Sequence, residues 1–104
     1  MKNKQPEILS MKGFLMFQIL HELQGNRLCG DDLANIIGSK KGSKLTPGTI
    51  YPALKFLRKH KLVKHRKYGR KKFYNITDKG EEEYNLVREN FTFIFKPLIK
   101  TSKK

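Results

Sequence analysis

The sequence has a single cysteine, no apolar run long enough to cross a bilayer, and no Asp or Glu between positions 33 and 77. Each scarcity removes a class of protein. Cys29 forms no disulfide within the chain and finds no second cysteine for a metal-binding pair, which fits a reducing cytoplasm. The opening MKNKQPEILSMKGFLMFQIL has a basic start and an apolar run, but His21 and Glu22 follow where a secretory signal would carry small residues. The run is also far too short for a membrane span, so neither a targeting nor a membrane role is expected. His21, His60 and His65 have no carboxylate or cysteine at ligand or triad spacing. No enzyme, metal or cofactor is therefore expected. The acids Glu81, Glu82 and Glu83 read as the chemistry of a helix start, since a nuclease would need its carboxylates beside the basic tract.

The missing acids carry the most information. Residues 33–77 hold 13 of the 23 Lys and Arg, while the rest of the chain sets 10 basic against 9 acidic residues, so nearly all of the net +14 is regional. Surfaces kept charged for solubility normally mix both signs. A one-signed segment points to a polyanionic partner.

A chain of 104 residues with 38% hydrophobic content supports one domain, residues 1–104, with a modest core that leaves room for a partner subunit. Residues 10–24 repeat Phe14, Leu15, Ile19, Leu20 and Leu23 at helical spacing before Gly25, and Met11, Met16 and Phe17 widen the stripe toward a second packing partner. Residues 30–37 read as a short helix ended by Gly38, with Asp31 and Asp32 at its positive end. Thr46 and Pro47 start a third helix. On it Ile50, Ala53, Leu54 and Leu57 share one face, and Gly48, Tyr51, Pro52, Lys55 and Lys59 the other. Pro52 leaves two readings: a helix kinked there, or one that begins at Thr49. Residues 62–68 and 71–77 flank Gly69-Arg70 as a hairpin with a basic tip. Asp78 opens a last helix in a capping-box arrangement with Glu81. Its seam of Tyr84, Val87, Phe91, Ile94 and Leu98 has the spacing of a packing interface, and Pro97 either kinks or ends it.

That order predicts an α+β, mainly helical fold: a winged helix-turn-helix over residues of about 10–77, then a C-terminal dimerisation helix over about 78–100. The third helix would enter a DNA major groove. Its amino end, from Thr46 through Thr49, would meet a phosphate, Gly48 would allow close approach, and the Tyr51 hydroxyl would donate to the backbone. Lys40, Lys41 and Lys44 before the helix, Lys55 and Lys59 along it, and Arg70, Lys71 and Lys72 at the hairpin tip would supply charge.

The stretches TPGTIYPALKFLRKHKLV and GRKKFYNITDKG resemble the PadR family of winged-helix transcription regulators, in Gly48, Thr49, Ile50, Tyr51, Pro52 and Leu54, then Tyr74, Ile76, Thr77 and Gly80. The resemblance implies a homodimer joined through the last helix and helped by the first, binding double-stranded palindromic operator DNA and usually repressing. It also implies that Tyr51 and Pro52 belong to the DNA face. Met11, Phe17, Tyr84, Val87, Phe91, Ile94, Phe95 and Leu98 are then the expected dimer contacts. Where the family commonly has Gly-Leu after the recognition helix, this chain has Lys61-Leu62. Either Lys61 takes a left-handed conformation or the turn is shaped differently. The aromatics Tyr84, Phe91, Phe93 and Phe95 line either an effector pocket or an ordinary dimer seam. The competing function is a winged helix that binds RNA or a protein.

Overall fold

A computed structural model describes residues 11–41 and 45–103, with side-chain surroundings for residues 14–39 and 45–90. The elements run α1 (Met11–Glu22), β1 (Leu28–Cys29), α2 (Gly30–Lys41), α3 (Pro47–Lys59), β2 (Val63–Tyr68), β3 (Lys71–Ile76) and α4 (Asp78–Lys103). The fold is the expected winged helix, mainly helical with one small antiparallel sheet in the order β1-β3-β2.

The strand β1 was not expected. Two residues are too few to show alternation, and the pairing of Leu28 with Tyr74 and Cys29 with Phe73 depends on a strand far along the chain. β2 and β3 close the hairpin around Gly69-Arg70, with Tyr68 opposite Lys71. Gly69 sits at φ +62°, which a two-residue turn with glycine in its first position requires.

α1, α2 and α3 bury one face each against a common core, to which α4 adds Tyr84. Ile19, Leu33, Ile37, Ile50 and Leu54 are wholly buried there, Leu23, Leu57 and Val63 nearly so, and no charged side chain is buried among the described residues. On α3 the buried set is Ile50, Ala53, Leu54 and Leu57, the face that helical periodicity selects.

Two helix boundaries correct the sequence expectations, and a third decides between two readings. α2 runs through Gly38 to Lys41. Gly38 is itself buried, and the helix carries it through at the usual cost of about 1 kcal/mol for glycine in a helix interior. α3 starts at Pro47 and contains Pro52 in its interior. The amide missing at Pro52 would have met the carbonyl of Gly48, an exposed residue in the first turn whose carbonyl water can satisfy. α4 starts at Asp78 but is capped by Thr77, not by an Asp78–Glu81 box: the Gly80 amide donates to Thr77 Oγ1 (2.9 Å) and the Glu81 amide to the Thr77 carbonyl (2.9 Å). The helix then continues past Pro97, where the ring removes one donor without ending it.

The link between α3 and α4 is a compact joint. His60 ends α3, and Lys61 follows at φ +64°. The Leu62 amide donates to the Leu57 carbonyl (2.8 Å) and the Lys61 amide to the Arg58 carbonyl (3.0 Å). This is the paired hydrogen bonding of a Schellman end, with a lysine where glycine usually stands. Of the two readings of Lys61, the left-handed one is correct. Left-handed backbone costs a non-glycine residue about 1–2 kcal/mol, partly offset because glycine loses more freedom on folding. Lys61→Gly is therefore expected to stabilise the fold by about 0.5–1 kcal/mol, read in a thermal melt as a rise on the order of 4 °C. An unchanged melt would mean that the lysine is not strained.

Candidate nucleic-acid interface

The outer face of α3 is open along its length. Thr46, Pro47, Gly48, Thr49, Tyr51, Pro52, Lys55 and Lys59 are all exposed. Thr46 stands at the amino cap in extended backbone, and its side chain caps no amide. Its hydroxyl lies 3.3 Å from that of Thr49. The Thr46 carbonyl receives the Thr49 amide (2.9 Å) and the Ile50 amide (3.1 Å). Thr46 and Thr49 thus set two hydroxyls and the positive end of a helix dipole on one exposed corner, an arrangement that attracts an anion.

Tyr51 is where α3 meets the rest of this surface. A cleft is lined by Cys29, Asp31, Tyr51, Arg70, Lys71 and Lys72. Positions distant in sequence, the α3 tyrosine and the cations of the hairpin tip, share one concavity. Asp31 was expected only as a helix-start residue; here its carboxylate faces Tyr51, whose Oη is 3.5 Å from Asp31 Oδ1. Burial first, and then the Asp31 carboxylate, raise the Tyr51 hydroxyl above its ordinary pKa. It remains a protonated donor at any physiological pH. The expectation that this hydroxyl donates to a phosphate meets a carboxylate already in place.

The hairpin adds a second feature that sequence reasoning missed. Arg27 Nη1 donates to Tyr68 Oη (3.2 Å), and the guanidinium lies 5.0 Å from the Tyr68 ring centre, while Tyr68 meets Phe73 edge-on at 5.7 Å. Arg27 follows the turn after α1, so a cation–π contact braces the wing to the helical body. No local pattern announces such a pair.

His65 packs against Tyr74, with ring centres 5.5 Å apart. Burial, then Arg58 and Lys72, lower its pKa from the usual 6.5. A base whose folded pKa lies below its unfolded value contributes stability that is full above the unfolded value and lost as pH falls through the folded one. Melting temperature is therefore expected to drop as pH falls below 6.5, and His65→Gln to drop less over the same range. Equal slopes for the two proteins would remove His65 from the explanation.

The residues expected at the dimer seam divide. Tyr84 is buried within the chain, stacked on Phe17 at 5.0 Å and hydrogen-bonded to His21 Nδ1 (2.6 Å), so it fastens α4 to α1. Phe17 and Val87 are half-buried, and Leu86 is exposed. The side chains of Met11, Phe91, Ile94, Phe95, Leu98, Lys40 and Lys41, and all of Lys44, lie outside the described residues. Among the described residues no group of His, Cys, Asp and Glu is placed to hold a metal ion, and no helix is long and apolar enough to cross a membrane.

A model of the transcriptional regulator PadR-like family matches residues 19–86, from the middle of α1 into α4. The chain belongs to that family. PadR-like proteins are transcription regulators and not enzymes. Among solved structures, the chain is similar to a PadR family transcription regulator from Clostridium difficile R20291, 26% identical over 86% of this chain and 98% of that one, with a TM-score of 0.75. A transcriptional regulator from Clostridium thermocellum shares the fold at 23% identity, over 86% of this chain and 94% of that one, with a TM-score of 0.74. Bacillus subtilis PadR, solved in complex with operator DNA, is 29% identical over 69% of this chain and 45% of that one, with a TM-score of 0.61. No curated protein matches. The PadR-like residues Gly48 to Pro52 fall in the first two turns of α3, and Thr77 and Gly80 fall at the α3–α4 joint.

Proposed function

We propose that this PadR-like chain binds double-stranded DNA sequence-specifically and acts as a homodimeric repressor on an inverted-repeat operator in the cytoplasm. The observation that carries the reading is the cleft in which Tyr51 of the exposed α3 face meets Arg70, Lys71 and Lys72 of the wing. A helix face that fits a major groove and a cationic strand tip that reaches the adjacent backbone occur side by side, and both lie in the acid-free segment. The relative from Bacillus subtilis, solved with operator DNA, supports duplex DNA over other polyanions. The 26-residue α4, with Leu86 exposed and Val87 half-buried on it, supports self-association through that helix. Two copies would then set their recognition helices roughly 34–36 Å apart, one turn of duplex.

Selection of random duplexes of about 30 base pairs on the purified protein, at about 0.15 M salt where non-specific attraction is already weak, tests the reading. Enrichment of an inverted repeat is the expected result. Binding that only fades with rising salt, with no sequence enriched, would reject sequence-specific recognition, and a monomer at micromolar concentration would reject the dimer.

A further inference from the structure

Gly30 opens α2 and is buried directly behind β1, whose two residues pair with β3. A Cβ placed on Gly30 would lie 2.5 Å from Cζ and Oη of Tyr51 and 2.6 Å from Cε1, well inside the distance at which atoms repel. One side would have to yield. Gly30 belongs to backbone anchored by the sheet and by the first turn of a helix. Tyr51 is a side chain with 39% of its surface exposed, so the ring would swing away. The Asp31 carboxylate lies 3.5 Å from the hydroxyl. The ring is thus bounded on one side by a missing methyl group and at its tip by an acceptor of its own chain.

We propose that Gly30 is a specificity-determining position that acts through Tyr51: the space left by its absent side chain seats the ring over the start of α2, with the Asp31 carboxylate beside the hydroxyl. The duplex then meets the ring in one fixed orientation. This rests on the DNA-binding reading above. Gly30 touches no DNA; it is a positioning residue. Holding the ring in advance removes the cost of ordering an exposed side chain on binding, and only a sequence that fits that placement gains from it. The acid beside the groove has the same logic, since a carboxylate there repels a phosphate that approaches Tyr51 in the wrong register.

The test is a double-mutant cycle read as the ratio of affinities for the selected duplex and a scrambled duplex of equal length. Gly30→Ala is expected to lower that ratio on the order of tenfold, the scale on which one side-chain contact discriminates bases, with the melting temperature within about 2 °C of wild type. In a Tyr51→Ala background the same substitution should change the ratio no further. Asp31→Ala, on an exposed residue, should lower the ratio about threefold, and again not when Tyr51 is absent; taking a ratio cancels the general gain from removing a negative charge. Equal losses on both duplexes, an unchanged ratio, or a loss that persists without Tyr51 would overturn the proposal. If wild type itself showed no preference between the duplexes, the DNA reading would fall as well, whereas failure of the Gly30 inference alone leaves that preference intact.

Discussion

Gly80→Ala is expected to lower the melting temperature by on the order of 15 °C, or to prevent folding at 37 °C. An added Cβ would run into the carbonyl oxygen of Leu62 and reach Ile76 Cγ1 at 2.7 Å. Unlike the ring beside Gly30, the Leu62 carbonyl is backbone in use: it accepts the Thr77 amide (3.1 Å), while Thr77 Oγ1 donates to the Lys61 carbonyl (2.7 Å) and accepts from the Gly80 amide. Lys79 Nζ adds a bond to the His60 carbonyl (3.1 Å). The methyl group cannot enter without separating the end of α3 from the start of α4, which disrupts several hydrogen bonds together. Overpacking a tight site costs about 1–3 kcal/mol, and loss of a cap about 1 kcal/mol more. At roughly 4–8 °C per kcal/mol in a domain of this size, the total gives the stated drop. Circular dichroism on heating measures it, and a loss under about 4 °C would show that the joint relaxes freely.

The second large effect is on DNA. Replacing Arg70, Lys71 and Lys72 together with alanine is expected to weaken binding on the order of 100-fold at about 0.1 M salt, and to reduce the slope of log affinity against log salt by roughly 2–3. All three are exposed, and the turn itself rests on Gly69, so the fold should melt within about 2 °C of wild type. The loss should be alike on the selected and scrambled duplexes, because charge on a strand tip meets phosphates, which carry no sequence. A loss confined to the selected duplex would assign the wing to base reading.

The outer and inner faces of α3 were legible in the sequence because both follow from one periodicity and one helix start. The hairpin was legible because Gly69-Arg70 interrupts two strand-like segments. What escaped was non-local. β1 exists only because β3 lies beside it, and Gly38 reads as a breaker until its burial inside α2 is seen. The contacts of Tyr84 on α4 with Phe17 and His21 on α1 likewise join positions far apart in sequence. In the candidate site the cations and Tyr51 were anticipated, while Gly30 and Asp31 were not: nothing in the local pattern says that the start of one helix will be the floor under a side chain of the next.

The stitching at Lys61, Leu62, Thr77 and Gly80 makes α3 and α4 behave as arms of one lever. α4 has 26 residues, which at 1.5 Å per residue is about 39 Å of rod. A tilt of about 10° at the joint would carry its far end by roughly 7 Å, a large fraction of one helix diameter. In the proposed dimer, the two pivots rather than the recognition helices themselves would set the separation between half-sites, and a small change in angle there would be felt as a mismatch with the pitch of the duplex.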